Sequence, residues 1–288
     1  MSGLLYRDKW YILKLKHRRE YVERFRNLKW KEVHVKYEDG KLFASIVFEF
    51  KCEPYVPRGI VALDINLRAV TAYDGSKVRR FRTRFVDALS KRRRAEELMK
   101  KHPKRWRCNE KILNRIRELH RRARSIVVDW CWKFSKQIVL KALRHRYAVA
   151  LESLDGLREN VNSKSNGSDG VAWRFTMFAY RRLQHTIISK AIKYGVPVVI
   201  VDPRRTSSAC PRCGEKLTYI HRLGICKKCR FKGDRDSVGA MNIWFKALQA
   251  YAGVHGSPLS APAMKGEARR SRGTSHERMK KIFTAIHR

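Results

Sequence analysis

Short apolar runs and one long helical stripe dominate the pattern along this chain. Gly59-Ile-Val-Ala-Leu-Asp64, Tyr147–Glu152 and Val196–Asp202 are compact apolar runs of the kind that form buried strands. The first two stop on a carboxylate. Leu67–Tyr73 and Lys77–Arg82 are strand-like too, with Asp74-Gly75 turning between them. Three consecutive short strands from Gly59 predict an antiparallel meander. Over Thr83–Arg146 the period changes: Ile112, Ile116, Leu119, Ala123, Ile126, Trp130 and Phe134 recur at three- and four-residue steps, one apolar face of a helix. Trp173–Tyr194, stopped by Gly195, and a segment from about Asp236 to Tyr251 are further helices. Ahead of Gly59, Trp10–Leu15 and Glu32–Phe50 have strand character, and Glu38-Asp39-Gly40 closes a hairpin. The polar, glycine-bearing stretch Asn160–Gly170 reads as a mobile loop, and the Ser, Pro, Gly and Arg of residues 253–288 as a basic disordered tail. Strands alternating with helices make this an α/β chain.

Charge narrows the function. Lys and Arg number 66 against 26 Asp and Glu, a net +40 in 288 residues. Such a surplus repels itself unless a polyanion neutralises it, so nucleic acid is the expected partner. No apolar run approaches the roughly 18–20 residues of a spanning helix, and no membrane partner is expected. Arg115, Arg117, Arg121, Arg122 and Arg124 lie between the stripe positions of the long helix, where most acidic i,i+4 partners are missing. They are candidate phosphate contacts. Cys52, Cys108 and Cys131 show no pairing pattern, and the first residues lack the form of a signal peptide. A reducing, intracellular (cytoplasmic) setting is expected.

The remaining four cysteines form two Cys-x-x-Cys knuckles, Cys210/Cys213 and Cys226/Cys229, twelve residues apart. Four thiolates so spaced suit a closed tetrahedral Zn²⁺ site, which is structural because it keeps no open position. Chemistry must then lie elsewhere, and acids are the candidates. Asp64 and Glu152 end two strands that can be parallel neighbours, and ligand sites of α/β sheets open at that edge. Asp236 opens the helix that follows the knuckles, with Asp234 as its rival. Separately, each has an ordinary reading as turn, solvated acid or helix N-cap. Converging, they would need divalent cations, and hard oxygen ligands suit Mg²⁺.

The stretches Gly59–Asp64, Ala150-Leu-Glu152-Ser-Leu, Val201-Asp-Pro-Arg-Arg-Thr-Ser-Ser-Ala-Cys210-Pro-Arg-Cys213-Gly and Cys229…Gly233-Asp-Arg-Asp236 resemble TnpB, the OrfB-type protein of insertion sequences, related to type V CRISPR effectors. The likeness runs from about Glu32 to Tyr251. It implies an RNase H-like (RuvC) mixed sheet flanked by helices, with an inserted four-cysteine zinc ribbon and a small N-terminal β element. It places a partial wedge-like domain at 1–57, the nuclease core at 58–208 and 233–252, and the ribbon at 209–232. Asp64, Glu152 and Asp236 match the family's catalytic triad, and a mobile lid would map onto Asn160–Gly170. The chain departs from the family in three ways. Asn66 stands where Gly is usual, a residue that tolerates the left-handed backbone of a tight turn. Val238-Gly239-Ala240 stands where Asn-Ala-Ala is usual, with Asn242 one turn on. Family members are typically longer, so the guide- and target-recognition half is expected to be missing or abbreviated.

The resemblance further implies RNA-guided cleavage of a DNA target in the service of a transposable element, the guide RNA deriving from the element's own end. Two Mg²⁺ ions would be held by the triad, Asp64 bridging both, for in-line hydrolysis of the phosphodiester. Two other readings stand beside it: a non-cleaving nucleic-acid-binding derivative, and a zinc-ribbon DNA-binding regulator that would leave the strand-end acids without a role.

Overall fold

The computed structural model describes residues 3–6, 9–12, 16, 20, 23, 25–49, 52, 55–154 and 170–255. Most of Asn160–Gly170 and all of 256–288 lie outside the described residues, and with them the expected loop, the lid and most of the tail. The chain divides into two units, residues 1–53 and 54–288. In the first, β1 (Gly3–Tyr6) pairs antiparallel with β2 (Lys9–Ile12), and β3 (Lys29–Glu38) with β4 (Lys41–Glu49). Asp39 (φ 50°) and Gly40 (φ 74°) both take the positive φ that a two-residue hairpin turn needs.

The second unit is built on a mixed five-stranded sheet. Its strands are β5 (Gly59–Ile65), β6 (Ala69–Tyr73), β7 (Val78–Arg82), β8 (Tyr147–Glu152) and β9 (Val198–Val201), in spatial order β7-β6-β5-β8-β9. The meander β5-β6-β7 is antiparallel, whereas β8 and β9 add parallel to β5. The parallel connections run through helices: α1 (Phe85–Lys101), α2 (Arg105–Cys108) and the 36-residue α3 (Glu110–His145) between β7 and β8, then α4 (Gly170–Tyr194) between β8 and β9. Asn109 caps α3, its side chain accepting from the Ile112 N–H at 3.2 Å, and Arg146 ends the helix in a left-handed conformation.

Strand alternation sorts the sheet's side chains onto two faces. Val61, Leu63, Val70, Ala72, Val149 and Leu151 point into a core shared with α1, α3 and α4. Ile60, Ala62, Ala148 and Ala150 point to the opposite face, where Ile243, Ala247 and Leu248 of α5 (Arg235–His255) cover them. On α3 the buried stripe is Ile116, Leu119, Ala123, Val127, Cys131 and Phe134, rotated slightly from the sequence pattern at its centre. α5 continues to His255, four residues past the boundary read from the sequence. Trp244 fastens it to the sheet by donating from Nε1 to the Ile60 carbonyl at 3.0 Å. Gly75 (φ 92°) lets that indole in, since a Cβ there would lie 2.8 Å from Trp244 Cζ2.

The ribbon connects β9 to α5. It is a small antiparallel sheet of β10 (Thr218–Ile220), β11 (Leu223–Ile225) and β12 (Lys232–Asp234) with its own apolar cluster of Cys210, Leu217, Cys226 and Val238. Among the described residues no helix is long and apolar enough to cross a membrane.

Leu151 is fully buried between sheet and helices, whereas Leu140 on α3 is 37% exposed. Leu151→Ala should therefore lower stability by about 2–5 kcal/mol, and Leu140→Ala by less than about 1 kcal/mol, in urea unfolding.

Candidate functional site

The sheet delivers four chemically active side chains to one row on the α5 face. Leu63 pairs with Leu151 in the parallel β5–β8 ladder, so Asp64 and Glu152 are the next positions on neighbouring strands. Across β5, Asp64 is registered with Thr71, and Thr71 with Arg80. The row therefore reads Glu152, Asp64, Thr71, Arg80, on the same pleat face as Ala62 and Ala150. α5 brings Asp236 to that face. Its approach is close: a Cβ on Gly239 would lie 2.9 Å from Asp64 Oδ2 and 3.0 Å from its Cγ. Glycine at 239, where the resemblance leads one to expect alanine, leaves room for the Asp64 carboxylate.

The two aspartates of Asp234-Arg235-Asp236 have different roles. The Asp236 N–H donates to Asp234 Oδ1 at 3.0 Å, so Asp234 caps α5. Asp236, 7% exposed, is left free to turn its carboxylate inward. Two arginines meet that carboxylate: Arg80 from β7 and Arg222 from the turn between β10 and β11. Arg222 also reaches Asp234 at 3.3 Å. Burial pushes Asp234 upward, but Arg222, the Asp236 N–H and the Arg80 charge together hold it below the ordinary range.

Burial, reinforced by repulsion from Glu152 and Asp236, pushes Asp64 up to about 7 against a donated hydrogen bond from Asn66 Nδ2 at 2.8 Å. Asn66, of a type that tolerates the left-handed backbone, does not adopt it here. Its N–H bonds the Ala69 carbonyl at 3.0 Å, and its amide serves Asp64 instead. Glu152 is likewise raised by burial, opposed by the Thr206 hydroxyl and the Lys246 charge. Lys246 of α5 spans the site's rear, donating to the carbonyls of Asp202 (2.8 Å) and Arg204. Asp64 and Glu152, both made reluctant to ionise by burial and Asp64 further by its acidic neighbours, are suited to cations, which relieve both effects. The three carboxylates are not drawn as tight as the cysteines: among the described residues only the cysteines bring candidate ligand atoms all within 4.8 Å of one another.

In the ribbon, Cys210 and Cys229 Sγ lie 3.5 Å apart, as do those of Cys213 and Cys226. A tetrahedral zinc with bonds of about 2.3 Å sets its sulfurs about 3.8 Å apart. The cluster can thus hold a metal such as zinc with minor adjustment. The Cys229 N–H pulls the Cys226 thiol down to about 7, whereas burial pushes Cys210 up to about 12, and a cation would make all four thiolates. Asn242, buried on α5, donates to the carbonyls of Thr206 (2.7 Å) and Ala209 (2.8 Å), tying the ribbon's first strand of chain to the helix that carries Asp236.

Of the candidate phosphate contacts on α3, Arg115 (2.6 Å) and Arg122 (2.5 Å) both pair with Glu118. Arg117, Arg121 and Arg124 are exposed and make no ion pair among the described residues. Sequence reasoning missed Arg80, Arg222, Lys246 and Thr206 around the acids. Only their proximity in the fold marks them out.

Without divalent cations, the raised Asp64 makes stability pH-dependent. The folded state holds a proton that the unfolded chain, with its ordinary value of 3.8, has released. The associated stability is complete below about pH 4 and is lost as pH rises to about 7. Asp64→Asn, which still accepts from Asn66, should be more stable than wild type at pH 8 by up to about 4 kcal/mol. The difference should vanish near pH 4, as read by urea unfolding in EDTA. Elemental analysis should find one zinc per chain, lost in Cys226→Ser.

Comparison with known proteins bears on this arrangement. Residues 180–243, from the first half of α4 to near the middle of α5, match the family described as Cas12f1-like, TNB domain. TnpB-like protein MJ0751 of Methanocaldococcus jannaschii is 30% identical over 247 residues, covering 80% of this chain and 84% of that protein. CRISPR-associated endodeoxyribonuclease Cas12f2 of a Micrarchaeota archaeon is 28% identical over 157 residues, 48% of this chain and 28% of that protein. A cryo-EM structure of the Cas12f1-sgRNA-target DNA complex shares the fold, with a TM-score of 0.53 at 16% identity over 79% of this chain. This chain spans about half, 48%, of the length of that protein. With its mixed α/β sheet, four-cysteine ribbon and extended match to MJ0751, the chain belongs to the TnpB-like family.

Proposed function

We propose that this chain is an RNA-guided, metal-dependent DNA endonuclease of a transposable element, with a RuvC-like core and a catalytic centre of Asp64, Glu152 and Asp236. The observation carrying this reading is the β5–β8 register, which sets Asp64 beside Glu152 beneath the helix that brings Asp236. In this reading residues 58–208 and 233–252 form the nuclease core and 209–232 the ribbon. The ribbon's separate sheet supports a distinct ribbon, although its last strand, β12, and Val238 of its apolar cluster extend past residue 232.

Divalent cations held there, two Mg²⁺ in the family's manner, would supply the Lewis acidity that activates water and stabilises the leaving oxygen. The chain's own residues do the rest. Asp64, Glu152 and Asp236 would hold the cations through their carboxylate oxygens. Asn66 and Gly239 fix where the Asp64 carboxylate sits. Arg80 and Arg222, which pair with Asp236, are the guanidinium groups at the site that would turn to the phosphate oxygens of a bound nucleic acid. Exposed Arg117, Arg121 and Arg124 follow the nucleic-acid backbone, and binding weakens steeply with salt. A solved relative of the same fold is a complex with sgRNA and target DNA, and guide RNA and DNA are accordingly the partners proposed here.

A non-cleaving nucleic-acid-binding protein is the second reading. The observation favouring it is the pair of arginines already neutralising Asp236. One experiment separates the two. The full chain, purified with the RNA it retains, should cut matching DNA in Mg²⁺ and not in EDTA. Asp64→Ala should abolish cutting and leave nucleic-acid affinity within about threefold of wild type. Binding without any Mg²⁺-dependent cutting by wild type would favour the second reading.

A further inference from the structure

Thr71 holds an unsatisfied hydroxyl in the middle of the carboxylate row. It is 1% exposed, and its Oγ1 has no hydrogen-bond partner. Buried polar side-chain atoms nearly always find one; the Nε atoms of Arg92 and Arg182 also lack a partner, but among buried hydroxyls Thr71 stands apart. Among the described residues, the other buried hydroxyls are all engaged: Thr83 with the Leu67 carbonyl, Ser135 with Thr186 at 2.8 Å, Thr186 also with the Leu183 carbonyl at 2.9 Å, and Thr206 with the Pro203 carbonyl at 2.8 Å. Valine would fill the same strand position without leaving a hydroxyl alone. Thr71 is the exception, and its position suggests why.

Across the ladder Thr71 faces Asp64 on one side and Arg80 on the other. Directly opposed residues have Cβ atoms about 4.5–5.5 Å apart, so rotation about χ1 can bring the hydroxyl to the Asp64 carboxylate. That carboxylate accepts from Asn66 and lies against the α5 backbone at Gly239, while the Arg80 guanidinium is engaged with Asp236. Thr71 is left without a partner between them.

We infer that Thr71 is a positioning residue for the cation site: its Oγ1–H donates to the Asp64 oxygen not taken by Asn66 when a divalent cation occupies the site. The hydroxyl thereby fixes the orientation in which Asp64 presents its other lone pairs to the ion. This rests on the reading of Asp64, Glu152 and Asp236 as a cation site, and it names a residue that supports the site without touching metal or substrate. Carboxylates that bind metals are themselves held by hydrogen bonds, and loss of such a partner typically weakens metal affinity about ten- to a hundredfold.

The test uses Mn²⁺ and the full-length chain, comparing wild type, Thr71→Val, Thr71→Ser and Asp64→Asn. Bound Mn²⁺ is counted by electron paramagnetic resonance, and the Mn²⁺ dependence of Tm is recorded in parallel. Sites that Asp64→Asn removes are those of the row. Thr71→Val should raise or leave unchanged the metal-free Tm and weaken those sites about ten- to a hundredfold, while Thr71→Ser stays within about threefold of wild type. Wild-type affinity in Thr71→Val would overturn the inference and leave the cation site standing. Equal weakening in both Thr71 variants would also overturn it, since Ser keeps the hydroxyl and its loss of affinity would then reflect a general disturbance of the strand. If wild type has no Mn²⁺ site that Asp64→Asn removes, the cation reading fails, and this inference with it.

Discussion

Two acids on adjacent parallel strands are the constraint around which this structure is arranged. The ladder that pairs Leu63 with Leu151 is an apolar interaction buried on both faces, and it carries Asp64 and Glu152 together past the end of the core. Their separation is set by strand spacing and not by their charges. The resulting repulsion, added to burial, is what raises Asp64. A sheet that placed two unscreened carboxylates together for no purpose would lose stability with nothing in return. Such local conflict, held in place by a well-packed surround, is what functional sites look like in otherwise consistent folds.

The surround is specific. Asn66 donates to Asp64, the Thr206 hydroxyl and the Lys246 cation ease the charge of Glu152, and Arg80 and Arg222 neutralise Asp236. These partners come from four different parts of the chain. Arg222 is of particular interest because it belongs to the ribbon's β10–β11 turn, while Asn242 of α5 holds the carbonyls at the ribbon's entrance. The cysteine cluster therefore sits between two attachments to the helix that bears Asp236. Holding that helix and its arginine in register is a role a closed four-cysteine site can serve without reactivity of its own.

Much of this was legible in the sequence. Apolar runs located β5, β8 and β9, the Asp74-Gly75 turn located the meander, and knuckle spacing located the cysteine cluster, because each depends on local pattern. What escaped was decided at long range. No periodicity announces that Arg80 lies opposite Thr71, or that Arg222 returns to Asp236, since both follow from strand register and the ribbon's path. The use of Asn66 is hidden for a related reason. Its residue type fits a left-handed turn, yet the carboxylate two residues earlier offered its side chain a better use. Asp234 and Asp236 could not be separated as cap and free acid until the helix start was fixed at Arg235. Gly239 is a departure from the family pattern whose use the sequence does not reveal, and only the 2.9 Å approach to Asp64 shows what its missing side chain permits.

The central claim is that Asp64, Glu152 and Asp236 form one cation-binding centre. Anomalous diffraction from crystals of the protein soaked in Mn²⁺ tests it most directly. The account predicts a peak within about 2.2 Å of carboxylate oxygens of Asp64 and at least one of the other two acids, with Arg80 and Arg222 withdrawn from Asp236. A well-soaked crystal with Mn²⁺ elsewhere, no peak between these residues and both arginines still on Asp236 would contradict it.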